Sequence, residues 1–263
     1  MSLIGRPWKN DSPTPSNMRF ADPYALKIKP TRETVIFAAS QHIGTKPVQC
    51  DYFLNFNDEC FVLADGLDTL PHSAVAAKFA CETAIWAYKH IRQHRYYWMD
   101  KKLFMRRIFR STNLAVWQKR KEAGYEAGMA TTLTVLLVGA RHYWLGSAGP
   151  TGAWHIRGST FTKLTPDIDT LRPIEQQQYL GTQRLGLVPS YKTATFEEGE
   201  AIILASSGCG NYLTPMDIST AAAMSGRSVD DATSAVMALV QASGQNGSTE
   251  NQTGVLVKRL ERA

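Results

Sequence analysis

The sequence predicts an α+β domain built mainly from antiparallel sheet. Strand patterns come in groups, and long helix patterns come in pairs between those groups. Grouped strands and grouped helices favour this class over a doubly wound α/β fold, in which single strands and helices alternate. A chain of 263 residues, 44% hydrophobic and 20% charged, is also the size of one globular domain with a sizeable core.

The beginning of the chain differs from the rest. Residues 1–31 contain five of the twelve prolines together with many polar residues. Such a composition buries little apolar surface and disfavours regular structure. We therefore expect an extended, partly disordered N-terminal arm over 1–31 and a folded domain over 32–263.

The strands are predicted from short apolar or alternating runs that are bounded by turn residues. They cover 33–41, 52–56, 60–64, 130–138, 142–148, 152–157, 160–164, 191–196, 200–206 and 253–260. A polar stretch over 166–189 interrupts the series.

Two long helices are predicted at 72–95 and 101–122, where apolar residues recur at spacings of three and four. The residues expected to face the core are Ala74, Ala77, Cys81, Ala84, Tyr88 and Ile91 in the first helix, and Leu103, Phe104, Ile108 and Ala115 in the second.

Two further helices have recognisable first residues. Thr214 is followed by Pro215, which places a capping residue before a proline at the first helical position. Ser228, with Asp231 three residues later, resembles a capping box.

Charge is concentrated in one part of the chain. The formal net charge is +6, but residues 89–121 contain eleven Lys and Arg and one acid, which makes +10 there and −4 elsewhere. Because this block falls on the two long helices, we expect Lys101, Lys102, Arg106, Arg107 and Arg110 to face solvent. The block is either a solvated face that only aids solubility or a surface that docks an acidic protein segment. Nucleic-acid binding is disfavoured because no base-reading motif accompanies the block.

Several classes of protein are disfavoured. The first residues lack the apolar segment of a signal peptide, and no run approaches the roughly 18 apolar residues of a membrane span. The four cysteines show neither a CxxC pair nor zinc spacing. We therefore expect a cytoplasmic protein with reduced thiols and no membrane partner.

The segment FVLADGLDT, residues 61–69, is the strongest local indication of a functional site. An apolar strand brings Asp65 and Gly66 into a turn, and a carboxylate beside exposed backbone suits a hard metal ion. Asp-Gly is also a common turn dipeptide, so this segment alone leaves both interpretations open.

Six segments together resemble the PPM-type (type-2C, metal-dependent) serine/threonine protein phosphatases. They follow the order and the approximate spacing of that family's motifs, from about residue 33 to residue 260. The segments are GTKPVQCD (44–51), LADGLDT (63–69), GMATTLTVLLV (128–138), GSAGPTGAWHIRGSTFTKLTPD (146–167), FEEGEAIILASSGCGNYLT (196–214) and GSTENQTGVLVKRL (247–260).

The resemblance implies a fold and a chemistry. The fold would be two stacked antiparallel β-sheets flanked by helix pairs, with a metal site built from loops at one end. The family hydrolyses phosphomonoesters with water held by two Mg²⁺ or Mn²⁺ ions, which bind mainly to carboxylates.

The resemblance also assigns roles to individual residues. Asp51, Asp65, the Gly66 carbonyl and Glu250 fall on metal-ligand positions, with Glu250 one methylene longer than the family's aspartate. Lys46 falls on the position of the phosphate-contacting arginine, where it keeps the charge but loses the bidentate fork. Asp51, Asp65 and Lys46 are thus the candidate catalytic residues.

Four positions depart from the family pattern. Ser207, Pro150 and Asn211 stand where the family has aspartates, and Gly152 stands where it has an arginine. Loss of oriented charge from a two-metal site should lower the rate by orders of magnitude. Mg or Mn should therefore bind weakly or not at all.

Three interpretations of the site stay open on the sequence. Asp51 and Asp65 are retained as turn residues only, or they bind one metal weakly, or they belong to a working two-metal site. The first two predict a pseudophosphatase that binds an acidic or phosphorylated protein partner. The alternative is an active but atypical phosphatase that uses Asp51, Asp65 and Glu250 with a reduced metal complement.

Overall fold

The computed structural model describes residues 35–93, 100–166 and 178–260, and the expected N-terminal arm lies outside these ranges. Ten strands form within them: β1 Val35–His42, β2 Asp51–Phe56, β3 Cys60–Asp65, β4 Leu133–Val138, β5 His142–Ala148, β6 Gly152–Arg157, β7 Thr160–Lys163, β8 Ser190–Thr195, β9 Ala201–Ala205 and β10 Gln252–Arg259. Five helices form as well: α1 Ser73–Ile91, α2 Lys101–Lys119, α3 Ser207–Gly210, α4 Pro215–Met224 and α5 Val229–Gln245.

The strands form two antiparallel five-stranded sheets. One has the order β1-β10-β9-β6-β7 and the other the order β2-β3-β4-β5-β8. Apolar side chains from both sheets meet in one cluster, which includes Phe61, Leu136, Leu204 and Val255. The predicted fold class, two stacked antiparallel sheets flanked by helix pairs, is confirmed.

Helices α1 and α2 pack together on the second sheet. The Tyr88 ring meets the Phe104 ring edge-on at 5.7 Å, and His72 meets Tyr125 in the same way at 5.1 Å. These contacts join the end of α1 to the start of α2, and the start of α1 to the turn after α2, so the two helices are antiparallel. Their inner faces form a buried cluster with β2, β3 and β4.

Helices α4 and α5 cover the first sheet and begin as predicted. Thr214 caps α4 and Ser228 caps α5, each in a full capping box with the aspartate three residues later. Ile218, Val236 and Leu239 then pack against strands of the first sheet. Each sheet thus has one face on the other sheet and one face on a helix pair.

Two predictions about α2 were wrong. Leu103 is 41% exposed, because Phe104, Met105 and Ile108 occupy the buried face of the helix. Lys101 is half-buried, and its ammonium lies 5.4 Å from the centre of the Trp144 ring. Burial lowers the pKa of Lys101 to about 8.

Two further features of the chain were predicted from the sequence: the absence of a membrane span and the presence of reduced cysteines. Within the described ranges, none of the helices has the length and apolar character needed to cross a bilayer. All four cysteines are buried and unpaired.

Candidate functional site

The candidate site lies at one end of the sandwich, where several strands begin or end. Asp51 opens β2 and Asp65 closes β3, and the antiparallel register pairs these two residues directly. Ser207 follows β9, and Glu250 lies shortly before β10. Strand pairing brings Asp51 to Asp65, and the stacking of the two sheets brings Ser207 and Glu250, up to about 200 positions away in the sequence, to the same end.

Asp51 is almost fully buried. Its Oδ2 atom accepts a 2.7 Å hydrogen bond from the Thr253 hydroxyl, which in turn accepts a bond from the Gln41 side chain. Its Oδ1 atom is buried and has no hydrogen-bond partner in the structure. An unpaired buried carboxylate oxygen is unfavourable, and either a proton or a cation would relieve it.

Asp65 is held through its backbone and its side chain. Its N–H donates to the Thr132 hydroxyl at 2.9 Å, and its carbonyl accepts from the Thr131 hydroxyl at 3.0 Å. Ser207 donates to the carboxylate Oδ2 atom twice, from its backbone N–H at 2.7 Å and from its hydroxyl at 2.5 Å. One oxygen of Asp65 is therefore occupied by protein donors.

The two aspartates affect each other's ionisation. Burial, and then the charge of Asp65, hold the pKa of Asp51 well above its ordinary value. Burial raises the pKa of Asp65 to about 6, although the two hydrogen bonds from Ser207 oppose that rise. A proton on Asp51 therefore relieves the repulsion between the two carboxylates, which a bound cation would otherwise relieve.

Lys46 lies between two further carboxylates at the mouth of the site. Its ammonium is 2.6 Å from Glu250 Oε2 and 2.9 Å from Asp68 Oδ2. The hydrogen bond to Glu250, followed by the one to Asp68, contributes most to raising the pKa of Lys46. Three separate loops are thereby joined through one cation: those before β2, after β3 and before β10.

Gly44 allows the loop that carries Lys46 to approach Glu250. Its φ is +66°, and a Cβ atom there would lie 2.2 Å from the Glu250 carbonyl oxygen. The next residue, Thr45, donates its backbone N–H to the Thr249 carbonyl at 3.0 Å. A residue without a side chain is needed for this contact.

A cavity of about 140 Å³ opens between these loops. The residues that line it are Asp65, Gly66, Leu67, Asp68, Thr132, Pro150, Tyr179, Ser207, Glu250 and Asn251. Three of them are acids, and Lys46 beside the mouth is paired with two of those acids. The cavity therefore has an acidic lining.

Four of the predicted positions lie outside this lining: Lys46, Asp51, Gly152 and Asn211. Gly152 opens β6 beneath the Trp154 ring, which a Cβ atom would meet at 2.4 Å. Asn211 follows α3 and is exposed. Two residues of the site, Asp68 and Thr253, were not predicted from the sequence, although they lie within the LADGLDT and GSTENQTGVLVKRL segments.

The residues present do not fit a two-metal centre. Across residues 35–93, 100–166 and 178–260, no three His, Cys, Asp or Glu side chains group closely enough to hold a metal ion. Ser207 occupies one oxygen of Asp65, Lys46 occupies Glu250, and Pro150 contributes no ligand. The unpaired Oδ1 of Asp51 is one oxygen still able to accept a cation.

Comparison with known proteins gives matches in structure alone. No family model and no curated protein matches the sequence. The serine/threonine phosphatase PstP/Ppp of Mycobacterium tuberculosis has a TM-score of 0.69 and 19% identity, over 86% of this chain and 99% of that one. Stp1 of Staphylococcus aureus has a TM-score of 0.69 and 18% identity, over 86% and 95%.

A structure of the PstP catalytic domain in complex with two manganese ions is similar as well. Its TM-score is 0.68 and its identity 20%, over 86% of this chain and 99% of that one. Such a likeness at low identity reports shared architecture, and function depends on the residues of each site. The chain has the fold of the PPM-type serine/threonine phosphatases, a family that it resembles.

Proposed function

We propose that this chain is a pseudophosphatase, a phosphatase-like protein that acts by binding a protein partner rather than by hydrolysing phosphomonoesters. The observation that carries the proposal is the pair of hydrogen bonds from Ser207 to Asp65 Oδ2. A serine stands where the family has a ligand carboxylate, and it donates to an atom that a metal ion would need as an acceptor.

The contacts of Lys46 support the same conclusion. In the family this position contacts the phosphate, but here the ammonium is shared between Asp68 and Glu250. A phosphate would have to displace two carboxylates from Lys46 while approaching an acidic cavity. Like charges at such distances oppose binding, unless a cation screens them.

The direct test is turnover with wild-type protein. Hydrolysis of p-nitrophenyl phosphate and of a phosphoserine peptide is measured with millimolar Mn²⁺, with Asp65→Asn as the matched control and a manganese-bound PPM phosphatase as the positive control. We expect wild-type and Asp65→Asn to be equal to the protein-free blank. Robust turnover by wild-type that Asp65→Asn abolishes would overturn the proposal.

The second candidate is an atypical Mg²⁺- or Mn²⁺-dependent phosphatase with a reduced metal complement. The observation that favours it is the unpaired Oδ1 atom of Asp51, which lies on a residue paired with Asp65 across two strands. Isothermal titration with Mn²⁺, combined with the turnover assay, separates the two candidates. Binding that Asp51→Asn removes, together with turnover, would support an enzyme, whereas binding without turnover leaves the pseudophosphatase.

A cytoplasmic location is part of the proposal. Four buried, unpaired cysteines are what a reducing compartment maintains. Fractionation of source cells with an antibody against the chain would test it.

A further inference from the structure

The outer face of α2 combines cations with apolar side chains along one line. Leu103, Arg106, Arg107, Arg110, Leu114, Trp117 and Lys121 recur at spacings of one, three and four, and we call them the α2 basic face. Helical geometry places the positions from 103 to 117 on one side, in a stripe about 21 Å long, and Lys121 lies in the turn that follows the helix. Opposite it, Phe104, Met105, Ile108, Phe109 and Val116 are buried.

Acidic residues are absent from this helix. The α2 sequence KKLFMRRIFRSTNLAVWQK contains six Lys and Arg and no Asp or Glu. Arg106, Arg107 and Arg110 are all exposed. Within the described ranges, Arg106 and Arg110 form no salt bridge. The positive charge at these two positions is therefore not neutralised by a described neighbour.

The far end of the face is arranged around Trp117. The Lys121 ammonium lies 3.9 Å from the centre of its ring, and the Arg184 guanidinium lies 5.6 Å from it. Asn113 holds the Arg184 loop on the helix, since its side-chain amide donates to the Gln183 and Arg184 carbonyls. Two cations are thus positioned around one half-buried aromatic ring.

We propose that the α2 basic face docks an acidic segment of a partner protein, with apolar residues of that segment against Leu103, Leu114 and Trp117. Charge complementarity requires an acidic partner. The apolar side chains between the cations add contacts that a purely polyanionic ligand would not use. This proposal deepens the partner-binding part of the proposed function and does not depend on whether the cleft is active.

Other occupants fit the face less well. The N-terminal residues 1–34 carry six Lys and Arg against three acids, so they would be repelled. A second copy would place the same positive face against itself. Nucleic acid would leave Leu103 and Leu114 without apolar contacts, and no base-reading motif accompanies the cations.

The experiment uses the full chain and three labelled probes, and binding is followed by fluorescence anisotropy. The probes are a 15-residue peptide of Glu with Leu at helical spacing, an all-Glu peptide of equal length, and a single-stranded DNA 15-mer. We expect the Glu–Leu peptide to bind most tightly and to lose affinity as salt rises. The triple reversal Arg106→Glu/Arg107→Glu/Arg110→Glu should weaken its binding about tenfold or more.

A second triple variant controls for net charge. Arg141→Glu/Lys163→Glu/Arg227→Glu makes the same change in charge at three exposed positions on other elements. It should weaken binding by less than about threefold, because distant exposed charges are screened. Circular dichroism of both variants confirms that they fold. Equal losses in both variants, or no binding of the Glu–Leu peptide by wild-type, would overturn the proposal.

Two other outcomes would also overturn it. Tighter binding of the DNA than of either peptide, lost on reversal of the α2 cations, would assign the face to nucleic acid. Residues 167–177 contain three acids, Asp167, Asp169 and Glu175. If neutralising these three raised the affinity for the Glu–Leu peptide about tenfold, this segment of the same chain would be the occupant.

Discussion

Ser207 donates both its backbone N–H and its hydroxyl to a single carboxylate oxygen of Asp65, at 2.7 and 2.5 Å. The two residues are 142 positions apart and meet because β3 and β9 end on the same side of the sandwich. Asp65 thereby has two strong donors without a metal ion. The contact satisfies this oxygen with protein groups alone, and it can be tested by substitution.

Replacing Ser207 by aspartate should reverse that arrangement. Ser207→Asp removes a hydroxyl donor and adds a carboxylate beside Asp65 and Asp51, so the metal-free protein should lose about 2 kcal/mol of unfolding free energy at neutral pH. Mn²⁺ should restore part of the loss, since it binds the folded state. Urea unfolding in chelator and in Mn²⁺ measures both effects. The control is Ser207→Asn, and equal behaviour of the two variants in Mn²⁺ would contradict the prediction.

The buried aspartates should make stability depend on pH. The pKa of Asp65 in the folded protein is about 6, above its ordinary value of 3.8. The folded state therefore binds more protons than the unfolded state between these values, and stability present below about pH 4 is lost as pH rises through about 6. We expect the unfolding free energy, measured by urea unfolding in chelator, to fall by about 3 kcal/mol across this window.

Asp51→Asn provides the matched variant for that pH dependence. The asparagine side chain imitates a protonated aspartate. Burial and the charge of Asp65 already raise the pKa of Asp51 in the wild-type protein. The variant should match wild-type at pH 4 and exceed it at pH 8, by about 1 kcal/mol in unfolding free energy. If the variant were less stable than wild-type at pH 8, the Asp51 charge would be stabilising. That result would contradict the repulsion between the buried Asp51 and Asp65 carboxylates.

The Lys46 contacts should limit access of cations to Glu250. Lys46→Met leaves Asp68 and Glu250 facing each other without a cation. The side chains are about 30–40% exposed, so the loss of unfolding free energy should be below about 1 kcal/mol. Mn²⁺ affinity should rise by isothermal titration, whereas Lys46→Arg should leave it unchanged. If the Mn²⁺ affinity of Lys46→Met equalled that of wild-type, Glu250 would take no part in cation binding.

The turn at Gly44 should tolerate no side chain. Gly44→Ala forces a Cβ atom to 2.2 Å from the Glu250 carbonyl at a φ of +66°. We expect a loss of about 3 kcal/mol in unfolding free energy. Gly158→Ala is the control, because its φ of +58° is similar but nothing lies within 4 Å of the added atom. Its loss should be about 1 kcal/mol, and equal losses would rule out the contact with Glu250 as the cause.

Local sequence patterns predicted most of the fold. Strands and helices were placed within a few residues of their observed bounds, and the capping boxes at Thr214 and Ser228 formed as expected. These features depend on side-chain periodicity and on hydrogen bonds between near neighbours, which a single sequence displays. Leu103 was misassigned, because several apolar residues compete for one buried face and only packing selects among them.

The sequence by itself determined which residues stand at the site positions that the resemblance assigns. These are Asp51 and Asp65, Lys46 in place of an arginine, Glu250 in place of an aspartate, and Ser207 and Pro150 in place of carboxylates. Only the tertiary structure decided what those residues contact. Ser207 meets Asp65, and Lys46 lies between Asp68 and Glu250, because strands and loops far apart in the chain meet at one end of the sandwich. Charge, hydrogen bonding and burial depend on these distances, which residue identity and local spacing do not specify.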